Sequence, residues 1–173
     1  MAYRKAYLLN HDIDWYGRVS GRWIVASTMG GQLPSRADDE RFLPLMQVIC
    51  SNLPYLVSSE EITVNEDLIQ ERYERAVRVY REYYINNDDI LRDFLERYTL
   101  PIFRSQYIES FVDMARRGFD AYIRVNIDKP TDNTYKLVAR PTDDASVQLS
   151  ESLATPLPIW LANENYSTYL TSL

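Results

Sequence analysis

The chain has only one cysteine and one histidine in 173 residues. A single thiol forms no internal disulfide, and Cys50 with His11 falls short of a zinc ligand set, which excludes a disulfide scaffold and most structural metal centres. Cys50 sits in the apolar run Leu45-Met46-Gln47-Val48-Ile49-Cys50, so it reads as a small buried hydrophobe rather than a nucleophile. No segment approaches the ~20 apolar residues of a membrane span, and Met1-Ala2-Tyr3-Arg4-Lys5 is followed by no stretch resembling a secretory signal. No membrane contact is expected, and the cytoplasm is the expected location.

Lysine is scarce as well: Lys5, Lys129 and Lys136 are the only three, and the other basic residues are arginine. With 19 basic against 25 acidic residues the net charge is −6. That balance disfavours nucleic acid as a partner, because such binders neutralise phosphates with clustered cations. It is too small for a mimic of DNA charge. No P-loop, dinucleotide fingerprint or Gly-x-Ser-x-Gly elbow occurs, so no cofactor is expected.

What is present is a globular composition, 46% hydrophobic and 13% aromatic, in a chain of a length suited to one domain. Residues 1–173 are read as a single domain with an irregular segment at 142–173. Trp160 in that segment is too large to leave in water, and it points to docking on the body or on a partner.

Residues 3–28 read as strands, with Tyr3 to Leu9 leading into a hairpin whose Ser20-Gly21 gap separates two β-rich runs. Helices are expected at 39–52, 65–85, about 88–98, and from Pro101 to Arg116-Arg117-Gly118, where Gly118 takes a left-handed cap. Glu71 with Arg75 and Glu74 with Arg78 have i,i+4 spacing. Beyond Gly118 the period becomes two: Ala121, Ile123, Val125 and Ile127 alternate with Tyr122, Arg124, Asn126 and Asp128, the pattern of a half-buried strand. Tyr135 to Arg140 returns to complete a second hairpin. The expected architecture is α+β, both hairpins in one antiparallel sheet covered by three to four helices.

Two clusters carry chemistry. In Asn10-His11-Asp12-Ile13-Asp14-Trp15-Tyr16, a regular strand places Asp12, Asp14, Tyr16 and Arg18 on one face. Paired carboxylates of this kind hold Mg²⁺ or Mn²⁺, and His11 adds a ligand or shuttles protons, the chemistry of a metal-dependent phosphoester hydrolase. The same residues also make an ordinary polar turn entering a strand. In Ser27-Thr28-Met29-Gly30-Gly31, successive backbone N–H groups at Gly30 and Gly31 suit an anion. The same loop also serves as a plain strand exit.

Fourteen tyrosines are the compositional oddity. Most fall on helical apolar stripes, while Tyr122, Tyr166 and Tyr169 do not and suggest a contact surface. The expected role is a soluble, non-enzymatic binding or assembly protein that uses Tyr16, Arg18, Gly30, Gly31, Tyr122 and Trp160 toward a protein partner or itself. The hydrolase centred on His11, Asp12 and Asp14 is the alternative.

Overall fold

Residues 5–34, 42–153 and 170–171 are described in a computed structural model. The order is α1 (Lys5–Asn10), β1 (Asp14–Val19), β2 (Arg22–Ser27), α2 (Phe42–Ser51), β3 (Thr63–Val64), α3 (Glu66–Tyr83), α4 (Asp88–Arg97), α5 (Leu100–Arg116), β4 (Asp120–Arg124), β5 (Tyr135–Arg140), α6 (Asp143–Leu153) and β6 (Leu170–Thr171). The fold is α+β. Packing divides the chain into two compact units, one of Met1–Val64 with Phe111–Leu173, the other of Asn65–Ser110.

The first unit is built on a sheet of order β1-β2-β4-β5-β3, with β6 also on β5. The β1–β2 hairpin closes on Ser20 and Gly21, both at positive φ (49° and 84°), which is the two-residue turn whose twist matches its strands. Both expected hairpins share this sheet. Their seam runs parallel, however, with Val25 opposite Ala121 and Ser27 opposite Ile123, so the sheet is mixed rather than wholly antiparallel. The physical reason is that a long connection separates β2 from β4, and a crossover of that length returns a strand in either sense.

Three other expectations are corrected. Residues 5–10 form a helix, not a strand: Leu8 is buried while Tyr7 and Leu9 are exposed, a one-sided burial that one helical turn provides. β4 is buried at all five positions, because a central strand is covered on both faces. The segment after 142 opens with a helix rather than irregular chain, since Thr142 receives the Ala145 N–H on its hydroxyl at 3.4 Å and Ala145, Leu149 and Leu153 form a buried stripe. Trp160, Tyr166 and Tyr169 lie outside the described residues.

Trp15, Trp23, Phe119 and Met46 sit in the core of this unit with Leu149 and Leu153 of α6. Gly118 has the expected left-handed backbone, φ +101°, and its N–H reaches Ala115 O at 2.9 Å.

In the helical unit, Asn65 caps α3 by accepting the Leu68 N–H and Asn87 caps α4 by accepting the Ile90 N–H. Glu66 and Arg104 form a fork of hydrogen bonds at 2.5–3.1 Å, joining the starts of α3 and α5. Leu68 and Ile69 are buried. Above them runs a ladder of rings: Tyr80 stacks on Phe94 at 3.6 Å, Phe94 meets Tyr98 at 4.8 Å, and Tyr98 meets Phe103 at 5.7 Å. Glu74 accepts from Gln70 at 2.7 Å, and no ion pair joins it to Arg78. Among the described residues, no helix is long and apolar enough to cross a membrane.

Candidate functional site

The two sequence clusters meet at the open end of the β1–β2 hairpin. Thr28 N–H donates to Ile13 O at 3.1 Å, and Ile13 N–H donates to Thr28 Oγ1 at 2.9 Å, which extends the hairpin by one pair. Beyond it the chain turns through Met29 and Gly30, at φ 48° and 74°. The backbone group that meets a carboxylate at this turn is the Met29 N–H; among the described residues, the Gly30 and Gly31 N–H groups expected to hold an anion are not donors to it.

The acceptor at this turn is a carboxylate of the protein itself. The Asp12 carboxylate accepts from the Ser27 hydroxyl at 2.7 and 2.9 Å, from the Thr28 hydroxyl at 3.4 Å, and from the Met29 N–H at 2.7 Å. Both oxygens are therefore engaged. Hydrogen bonds to a carboxylate are worth about 1.5–3 kcal/mol against roughly 1 for neutral pairs, so Asp12 fastens the loop to the strand entry.

Gly31 is held from beneath. A Cβ placed on it would coincide with the guanidinium of Arg124, which is fully buried and donates from Nη2 to Gln32 O at 2.5 Å. Only glycine leaves room there. Gln32 N–H in turn donates to Pro130 O at 2.9 Å. The aromatic wall beside Arg124 is Tyr135, met edge-on by Trp15 at 5.3 Å.

Asp14 shares a cleft of about 180 Å³ with Asp12, Tyr7, Leu43 and Gln47. His11 is not part of its lining. Its ring stacks on Tyr7 at 3.9 Å, and its Nδ1 lies 2.9 Å from Tyr7 O, in the open. Among the described residues no third carboxylate, histidine or cysteine joins the pair to complete a metal-binding group. Burial pushes the Asp14 carboxyl up to about 6, and the neighbouring Asp12 charge acts in the same direction. Asp14 nonetheless keeps an exposed surface. A carboxyl titrating there is suited to proton transfer near neutral pH.

A stability signature follows. The folded carboxyl holds its proton more tightly than the unfolded chain, whose value is 3.8; this contribution is fully present below that pH and is lost as pH rises through about 6. Urea unfolding from pH 4 to 7 is expected to show stability falling across this window, and Asp14→Asn to remove that part of the slope. A carboxyl NMR titration that puts Asp14 at an ordinary aspartate midpoint would refute the assignment.

The remaining candidates are placed as follows. Tyr16 is buried with its ring edge-on to Phe119 at 6.1 Å, and burial holds its hydroxyl well above the ordinary value. Tyr122 is only 5% exposed, so it presents no surface and the expected contact role is corrected: its strand is interior. Arg18 lies at the other end of the hairpin, its Nε donating to Gly21 O at 3.1 Å. Cys50 is buried and free, with its thiol pushed up to about 12 by burial, which makes it inert as a nucleophile.

A charge cluster missed by the sequence reading joins the parallel seam to α6. Asp120, 2% exposed, receives Arg22 Nε at 2.9 Å and Nη2 at 2.7 Å, and Arg140 lies 3.2 Å from its second oxygen. The remaining Arg22 nitrogen reaches Asp143 at 2.6 Å. No local signal marks these residues, since the partners are 98 and 121 positions apart.

No protein-family model, no curated protein and no solved structure matches this chain.

Proposed function

We propose that this is a non-enzymatic binding or assembly protein whose contact surface is the helical unit 65–110. One observation carries the reading: that unit leaves large apolar side chains in water. Tyr83 is 78% exposed and Ile85 71%, with Val79 and Ile90 also exposed beside the aromatic ladder. α4 has no buried residue at all. Scattered exposed apolar residues are normal on a surface, but a group on consecutive elements, mixed with tyrosine and arginine, has the composition of protein interfaces. The Tyr84 ring lies tilted against Tyr80 at 4.8 Å and meets Tyr83 edge-on at 4.8 Å, while most of Tyr83 stays in water.

The occupant favoured here is a second copy. Size-exclusion chromatography with light scattering at tens of micromolar is expected to give a mass above the 20.3 kDa of the chain. The double variant Tyr83→Glu, Ile85→Glu is expected to return it to monomer without loss of helicity. A wild-type chain that runs as a clean monomer would overturn self-assembly.

A further inference from the structure

A groove of about 570 Å³ lies between the β1–β2 turn and α6. One wall is the hairpin, with Arg18, Ser20 and Arg22; the other is α6, with Asp143, Val147 and Glu151. Its floor is closed by the Ser150 hydroxyl, 3.2 Å from Gly21 O and 3.0 Å from Ser146 O. Both walls belong to the same compact unit.

The charges in this groove are not equivalent. Arg22 is fully engaged by Asp120 and Asp143. Arg18 is oriented by its Nε bond to Gly21 O and by the Trp23 ring 6.0 Å from its guanidinium carbon, yet no carboxylate lies within ion-pair distance among the described residues. The planar edge of such a fork is matched to a carboxylate. Glu151, on the opposite wall, is exposed and likewise has no cationic partner. Between them Val147 is 57% exposed, an apolar contact in an otherwise polar trough.

We propose that this groove binds short unblocked peptides, Arg18 receiving the terminal carboxylate and Glu151 the terminal ammonium. A cation and an anion on facing walls, each without an ion-pair partner among the described residues, suit a zwitterion, whereas a phosphate would meet Glu151 and Asp143 unfavourably. The volume falls within the range of small-ligand sites, about 300–1,000 Å³, and it exceeds what a single amino acid fills. Main-chain amides of the peptide would face the Ser20 hydroxyl, and a small side chain would cover Val147. The inference is independent of assembly through the helical unit, which uses none of these residues.

The test is titration of the full chain with trialanine, followed by amide NMR and calorimetry. Saturable shifts confined to residues 18–22 and 143–151 are expected at up to about 10 mM peptide, the weak range in which a few charge-assisted bonds operate. Amidating the peptide's C-terminus or acetylating its N-terminus should weaken binding about tenfold each, the effect of one lost charge-assisted bond. Arg18→Gln should abolish the response to amidation, and Glu151→Gln the response to acetylation. Absence of saturable shifts, or blocked peptides binding as well as free ones, would overturn the proposal. The peptide comparison uses the unaltered protein, so it stands even if a variant folds poorly.

Discussion

Gly118→Ala is expected to lower the stability of the protein by about 2–6 kcal/mol, combining the cost of a strained backbone, about 1–3, with that of overpacking, about 1–3. At φ +101° the residue lies outside the backbone range of L side chains. A Cβ there would stand 2.7 Å from the carbonyl oxygen of Ala145 and 2.7 Å from Cβ of Leu149. Neither is the free end of a flexible chain, so α6 has to move as a body. For a chain of this length the loss corresponds to a fall in melting temperature of about 10 °C. Gly118→Asn separates the two causes: asparagine tolerates positive φ better than alanine but collides in the same place. It is expected to recover at most the backbone part of the loss, and a full rescue by Asn in thermal melts would show that packing against α6 is unimportant.

Asp120→Ala is the second large effect, expected at about 2–4 kcal/mol, because removing one member of a buried charge cluster leaves the others without compensation. The upper end is not reached, since Arg22 and Arg140 retain side-chain exposures of 22% and 37% and can turn toward water. The carboxylate holds the Arg22 guanidinium above its already high ordinary value through their hydrogen bonds; without it, in Asp120→Ala, the arginine still stays charged because that ordinary value is itself so high. Replacing anion and principal cation together, Asp120→Leu with Arg22→Met, is expected to recover more than half of the loss measured by urea unfolding. If the pair substitution is as damaging as Asp120→Ala, the cluster contributes through shape rather than charge.

The two cases differ in how far the sequence foretold them. Gly118 was readable, because Arg116-Arg117-Gly118 ends an apolar stripe and only glycine continues in that backbone region. Helices α3 and α4 are equally legible, since Asn65 and Asn87 each precede a periodic run and each caps it. Helix α6 carries the same signals in Thr142-Asp143-Asp144 followed by Ala145, Leu149 and Leu153, but Pro156 and Pro158 shortly beyond it give the segment the composition of irregular chain. The polar groups of the candidate site behaved differently. Asp12 and the Ser27-Thr28-Met29 loop were each visible as clusters, but nothing local says that one fills the other, because the contact depends on the hairpin bringing residues 15 to 17 positions apart together. Tyr122 was misplaced for the same kind of reason: alternation along β4 records polarity, and whether a polar face meets water is decided by strands and loops elsewhere in the chain.

The parallel seam has a consequence in time. Arg22 and Asp120 face one another across it at a separation of 98 residues, so the first hairpin leaves the ribosome long before the strand that completes its inner edge. At synthesis rates of about 5–20 residues per second, the wait is on the order of 5–20 s. Throughout it the edge of Ile24 to Ser27 away from β1, matched in the finished sheet by Asp120 to Ile123, has no partner strand. An unpaired strand edge beside Trp23 and Val25 is a template for the wrong neighbour, and the nascent chain is therefore most vulnerable to mispairing while its helical unit is being made.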